Sequence, residues 1–373
     1  MKKLGLDPKK IFWLDIPYTS NVKVRSALID IGIPPSNFIV SDLKLLDFYA
    51  LAQRKRVHKV VKDFIEDPPK RLLVLDDGSY FLESAMCFKR KIPYVAIVEQ
   101  TTRGLIKIEE KAVLKEEAER VTVINVAKSK SKEKLESPFI GRSICMALKK
   151  KLGFDNEDNT KEHNMSCLVL GYGNIGRRVV EFIFRELKFK KENIHICDPK
   201  ESKETVEPFK YWDRSTSDTR FDLVVGCSGR TSFTVGDFIY LNNGAVLASA
   251  SSGSIEFARR DFIELADLSE DDDINIDRSD LDINDLHSDI PINFPNRRVT
   301  FLNGGFPLNF GSKTMINCIP AKYIQPTVAM MVRGAIQALE TDETGVIDLD
   351  EEFCDTLVDD FRQILGDESS VID

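Results

Sequence analysis

CLVLGYGNIGRRVVEFIFREL, residues 167 to 187, places three glycines in the spacing Gly171-x-Gly173-x-x-Gly176 between a short apolar run and an amphipathic segment that Asn174 and Ile175 open. In that context the glycines predict a strand, a tight turn and a helix. Gly171 permits the turn, Gly173 lets the main chain approach a pyrophosphate, and Gly176 lets helix and strand pack closely, while unpaired amides at the helix N-terminus face the anion. An acidic partner is expected about 20 residues further on, at the end of the next strand, to accept hydrogen bonds from an adenosine ribose. Asp198, in IHICDP, stands there. Its charge opposes a ribose 2′-phosphate, so the expected cofactor is NAD rather than NADP, with Lys200 and Lys203 pulling the other way. A plain strand-end turn made by Asp198 with Pro199 is the competing reading.

Outward from this unit, apolar runs recur at 166–170, 193–198, 221–227, 244–251 and 298–303, and a first series at 11–16, 37–42, 71–77, 94–100 and 121–126. Continuous apolar strands alternating with amphipathic segments at 22–31, 46–65, 80–91 and 109–119 predict parallel sheets buried on both faces. The expected fold is α/β with two doubly wound parallel-sheet domains, the C-terminal one a Rossmann dinucleotide-binding domain. Its boundaries fall at 153–310; the first domain takes 1–137 plus 320–373, and helices at 138–152 and 321–340 connect the two. Later strand ends set Ser228, Gly229, Ser251 and Ser252 where the carboxyl edge of the second sheet would meet the nicotinamide half of the cofactor.

Composition narrows the function classes. The 373 residues carry a formal charge of −8, which disfavours nucleic acid or anionic lipid as a partner. Seven scattered cysteines without a Cys-x-x-Cys pair fit a reducing compartment. The apolar stretch near the N-terminus is too short for a signal peptide, and no run is long enough to span a membrane, so a cytoplasmic location with a small-molecule substrate is expected. The segment Glu264 to Pro291 holds eleven acids and one Arg but lacks the glycine and closing glutamate of a calcium loop. It reads as a solvated insertion, and no metal site is expected. Val328, Met331, Val332 and Ile336 form a stripe that predicts either a homo-oligomer or packing within the subunit.

VLDDGSYF (74–81), VEQTTRG (98–104), GYGNIG, CDP and GGFPLNF (304–310), in this order, resemble S-adenosylhomocysteine hydrolase over roughly Ile11 to Leu339. The resemblance implies NAD held in a cleft between two domains, transient oxidation of a ribose hydroxyl, elimination of a thiol, addition of water and re-reduction. It implies that Thr101 and Thr102 approach the cofactor, and it draws attention to Asn309. Asp76, Asp77, Glu99 and one of Lys128 or Lys130, with Lys130 preferred, become the catalytic candidates. Under the enzymatic reading Lys130 or an aspartate of the 76/77 pair removes the hydroxyl proton.

The departures bear on activity. Gln100 stands where the family has a second carboxylate, and an amide takes no proton. The Asp-Asn pair expected after the lysines is missing, with Glu136 and Ser137 in its place, and no His follows the PLNF segment. Each lost acid-base group would cost about 100- to 10,000-fold. The leading expectation is therefore redox chemistry on a hydroxyl of a nucleoside-like or other small substrate. Two alternatives stand beside it: a non-catalytic NAD-binding relative that senses or binds a partner, and a dehydrogenase of a small hydroxy or amino acid.

Overall fold

The computed structural model describes residues 6–40, 49–66, 69–85, 92–154, 163–253, 255–258, 260–262, 264, 287–294, 297–311 and 320–372. The chain begins with β1 (Trp13–Leu14), α1 (Val22–Asp30), β2 (Phe38–Ile39) and α2 (Tyr49–Glu66). The first main series follows as β3 (Leu72–Asp76), α3 (Tyr80–Ala85), β4 (Val95–Glu99), α4 (Thr102–Glu110), α5 (Ala112–Ala118) and β5 (Thr122–Asn125). Next come α6 (Lys130–Leu135) and α7 (Ser137–Lys151). The second series runs β6 (Cys167–Leu170), α8 (Asn174–Arg185), β7 (Ile194–Cys197), α9 (Lys203–Val206), β8 (Lys210–Tyr211), β9 (Phe221–Gly226), β10 (Leu241–Ser249), β11 (Ile290–Phe294) and β12 (Arg297–Phe301). Finally α10 (Ala321–Glu340), β13 (Gly345–Asp348) and α11 (Glu351–Leu365) close the chain.

The second sheet has the order β11-β12-β10-β9-β6-β7-β8. Every pairing is parallel except β11 with β12. Read from β8 to β12, the parallel strands follow the 3-2-1-4-5-6 order of the Rossmann fold, whose direction reverses between β6 and β9. Both faces are covered, one by a core around Ile144, Val179 and Val225, the other by a core around Trp212, Phe257 and Phe301. All four residues of β6 are buried, which is why the run reads as apolar without alternation.

The first sheet is β13-β5-β4-β3, all parallel. Its faces are covered by Phe81, Leu105 and Leu114 on one side and by α10 on the other. A Cβ on Gly334 would come within 2.9 Å of Val98, so the glycine lets α10 lie close on β4. Met330 and Ala338, one turn to either side, are fully buried with it. Thus α10 and β13 join the first sheet, α10 by packing on its face and β13 by pairing with β5.

Other expectations shift. The runs at 11–16 and 37–42 shrink to two residues each and pair only with one another among the described residues. Pro17 stands three residues after the first, and Pro34-Pro35 stand four and three residues before the second, each removing a ladder donor. The helix expected over 109–119 is two helices, α4 starting seven residues earlier and breaking at Lys111, whose backbone is extended. β8 is too short to show a period, Pro291 disguises β11, and both lie at edges or beside one. Residues 265–286, nearly all of the acidic insertion, lie outside the described residues. No helix among the described residues is long and apolar enough to cross a membrane.

Candidate functional site

A cleft of about 3130 Å³ runs between the carboxyl edges of the two sheets. The three glycines sit on its wall or directly behind it, each for a different reason. Gly171 has φ +92°, and a Cβ there would lie 2.7 Å from the backbone of Ser228. That close approach brings the ends of β6 and β9 together at the point where strand order reverses. A Cβ on Gly176 would lie 2.0 Å from the carbonyl oxygen of Gly171, so only glycine lets α8 start this close to β6. Gly173 has ordinary extended backbone, and a Cβ on it would meet nothing within 4 Å. The space beside the N-terminus of α8 is open on the cleft side.

Asp198 caps the neighbouring strand. Its carboxylate accepts from the Tyr172 amide at 2.7 Å and from the Lys200 amide at 2.9 Å, which fastens the glycine loop to the end of β7. Each oxygen keeps a second lone pair. The guanidinium of Arg177 lies 4.4 Å from the centre of the Tyr172 ring and pairs with Glu201, bracing the same loop from outside.

Sequence reasoning missed Glu256. This fully buried carboxylate accepts from the hydroxyls of Ser228 (2.9 Å), Ser232 (2.8 Å) and Ser251, and from the Gly229 amide. Burial raises its pKa, and the four donors oppose the rise. Ser228, Gly229 and Ser251 do line the cleft. The two hydroxyls and the Gly229 amide, however, turn inward to Glu256, so these residues shape the wall instead of offering side chains to a ligand. The sequence signal was slight: one acid in SIEF, beside an aromatic core residue.

The opposite wall uses the same device. Glu99, fully buried at the end of β4, accepts from the amides of Gly78 (3.1 Å), Ser79 (2.7 Å) and Thr101 (2.8 Å) and from the hydroxyls of Ser79 and Thr101. Five donors leave it no role as a proton carrier, correcting the expectation that it is catalytic. Asp76 accepts from the amides of Asp77 and Phe81, at 2.9 and 3.0 Å, and so caps the turn into α3. Desolvation first, then the charge of Glu99, push its pKa up to about 8. Thr101 both bonds Glu99 and caps α4, its hydroxyl accepting from the Gly104 amide at 3.0 Å; Thr102 follows on the cleft wall.

Asp77 is the partly exposed member of the acidic pair. It accepts from Gln100 Nε2 at 2.9 Å and stands 3.4 Å from Arg103. Lys130 is a second correction: it is exposed, pairs with Glu351 at 3.0 Å and forms no part of the cleft wall. Ser129 caps α6, so Lys130 leaves on the outer face while Lys132, two residues on, enters the cleft. Lys132 donates to the Gln100 carbonyl oxygen and lies 3.6 Å from Glu136, which accepts from Thr327 of α10 at 2.6 Å. Lys128 lines the cleft and pairs with Glu109.

Asn309 closes the site at the end of GGFPLNF. It is 7% exposed, and among the described residues its Oδ1 has no hydrogen-bond partner, while the residue lines the cleft. Its loop is held by Asn303, whose amide group donates to the carbonyl oxygens of Pro307 (2.8 Å) and Phe310 (2.9 Å). No histidine lines the cleft among the described residues. His195 is buried in β7, His287 bonds Asn303 at 2.9 Å, and His163 stacks on Phe154.

Tyr18 and Arg230 tie the walls together. Tyr18 accepts from the Gly253 amide at 3.1 Å and stacks on Phe306, and Arg230 pairs with Glu110 at 2.6 Å.

No family model matches the chain. Two curated proteins described as uncharacterized, from two strains of Mycobacterium tuberculosis, are each 27% identical to it over 324 residues, a stretch that is 84% of this chain and 56% of each relative. The chain therefore spans about half the length of the curated relatives it matches. Among solved structures it is similar to a D-lactate dehydrogenase with NAD+ from Lactobacillus jensenii, 16% identical over 76% of this chain and 94% of that one, TM-score 0.32. It is also similar to a D-isomer specific 2-hydroxyacid dehydrogenase from Lactobacillus delbrueckii ssp. bulgaricus in its NAD-complexed form, 11% identical over 79% and 96%, TM-score 0.36. A D-2-hydroxyisocaproate dehydrogenase matches at 12% over 79% and 96%, TM-score 0.35.

Proposed function

We propose that the chain binds NAD in the cleft and carries out oxidation or reduction at a hydroxyl-bearing carbon of a small substrate. The domains proposed to form the cleft are 1–137 with 320–373, and 153–310. The observation that carries the reading is the pairing of an open space at Gly173 with two glycines that cannot bear a side chain, beside an acid at the end of the next strand. The donor set fits the group. Amides of Asn174 and Ile175 at the start of α8 would meet the pyrophosphate, Asp198 would accept from the ribose hydroxyls, and the orphaned Asn309 Oδ1 would accept from the carboxamide N–H. When bound, NAD supplies a hydride acceptor and NADH a donor.

The residues of the first wall have distinct work. Asp77, the one acid of the original candidates that is only partly committed, takes or returns the hydroxyl proton. The Lys132 ammonium polarises the substrate oxygen and is kept in place by Gln100 and Glu136. Asp76 and Glu99 hold the turn that presents Asp77, and Gln100 orients its carboxylate.

The hydrolase half of the family resemblance lacks support in the cleft. Elimination and addition of water need a further acid-base pair, and the described cleft residues offer no imidazole and an amide at position 100. A dehydrogenase of a small hydroxy acid, nucleoside or related alcohol needs only one proton acceptor beside the hydride path. The test is direct: purified protein is given NAD with a panel of hydroxy acids, nucleosides and amino acids, and NADH formation is followed by absorbance. Turnover with one class supports the reading. Binding of NAD without turnover of any class would leave a binding module, the second reading favoured by the engagement of Asp77 with Gln100 and Arg103.

A further inference from the structure

The chain leaves β8 beside Asp198, because β8 pairs with β7 through His195↔Lys210 and Ile196↔Tyr211 and the Trp212 amide donates to the Ile196 carbonyl oxygen at 2.8 Å. Two residues later Arg214 crosses toward the loop after β9. Its NH2 donates to the Ser232 carbonyl oxygen at 2.8 Å, and its Nε lies 3.1 Å from Asp237. Tyr240 donates to the Arg214 carbonyl oxygen at 2.9 Å, and the guanidinium carbon stands 5.9 Å from the centre of the Trp212 ring. The side chain is 44% exposed and lines the cleft together with Asp198, Pro199 and Ser228.

The guanidinium donates through one N–H to the Ser232 carbonyl oxygen and stands against the Asp237 carboxylate, which already balances the charge a phosphate would seek. Its plane is nonetheless fixed, and a fixed cationic plane beside a cleft is a stacking surface for an aromatic ring. The ribose acid Asp198 and the strand-order reversal set where the base of a dinucleotide would go: between the loop after β7 and the loop after β9, the two loops that Pro199 and Arg214 border.

We infer that Arg214 is the platform on which the adenine of the dinucleotide stacks, with Pro199 on the other side of the base. This rests on the NAD reading above. Stacking tolerates any purine, so the site would hold hypoxanthine in place of adenine with little loss.

The experiment compares wild type, Arg214→Ala and Arg214→Lys in the full chain, with dissociation constants for NAD by calorimetry and for nicotinamide mononucleotide by ligand-observed NMR. The lysine keeps the charge and lacks the plane. The expected result is that both variants weaken NAD about 5- to 100-fold and leave the mononucleotide, which has no adenine, unchanged. NAD affinity unchanged in Arg214→Ala, restored in Arg214→Lys, or lost in parallel with mononucleotide affinity would overturn the stacking role while the cofactor reading stands. A wild-type chain that binds no NAD would sink both.

Discussion

The glycine loop makes two substitutions diverge, and the divergence separates a ligand site from a structural turn. At Gly173 a valine enters open space on ordinary backbone, so folding stability should change by less than about 1 kcal/mol. The same side chain fills the room a pyrophosphate needs against the α8 amides. Charge-assisted bonds of this kind contribute about 1.5–3 kcal/mol each, so losing two weakens NAD by roughly 3–6 kcal/mol, or about 100- to 20,000-fold. At Gly176 an alanine would press its Cβ to 2.0 Å from the Gly171 carbonyl oxygen, a backbone atom that cannot swing away. Overpacking of that kind costs about 1–3 kcal/mol or more. Calorimetric titration and thermal unfolding on both variants check this. Gly173→Val should lose NAD and keep its melting temperature, whereas Gly176→Ala should melt earlier. Wild-type NAD affinity in Gly173→Val would refute the reasoning outright, because the open space would then be vacant for some other cause.

Four further outcomes follow from the two walls. Asp198→Ala should weaken NAD and narrow its margin over NADP; equal losses for both dinucleotides would reduce Asp198 to a clamp on the Tyr172 amide. Glu256→Ala, which strands the buried Ser251 hydroxyl and three half-buried donors, should lower unfolding stability by about 2 kcal/mol or more in denaturant titration, and a shift under 1 kcal/mol would contradict the bonding described. Asp76 has a folded pKa raised to about 8 from the ordinary 3.8, so its protonated form stabilises the fold at low pH and that contribution fades as pH rises from about 4 to about 8. Asp76→Asn should accordingly flatten the loss of stability over this window, and an unchanged slope would move the titration to another group. Lys132→Ala should lower kcat for the proposed turnover by at least about 100-fold while Lys130→Ala leaves it unchanged; the reverse order would restore the original assignment.

The second sheet was legible because a Rossmann unit advertises itself. Three glycines with separate steric duties, an apolar strand before them and an acid after the next strand all bear on a few neighbouring residues. Even there, sequence pattern overrated Ser228 and Ser251. Hydroxyls at strand ends look alike whether they face a ligand or a buried carboxylate, and Glu256, 28 residues beyond Ser228, is joined to it only by the fold. The first wall was harder. VLDDGSYF and VEQTTRG form turns on the cleft wall, yet the periodicity of a six-residue helix gives little to choose which of Lys130 and Lys132 faces it. The cap at Ser129 decides it, and that cap is a backbone fact. β1 and β2 failed for a related reason, since apolar composition cannot show that a strand lacks a neighbour.

Calorimetric titration of the purified full chain with NAD, and in parallel with NADP, tests the central claim most directly. Saturable heat at one NAD per chain, with NADP clearly weaker, is the result that the Gly173 space and the Asp198 carboxylate require. No heat with NAD, or NADP binding as tightly, would contradict it.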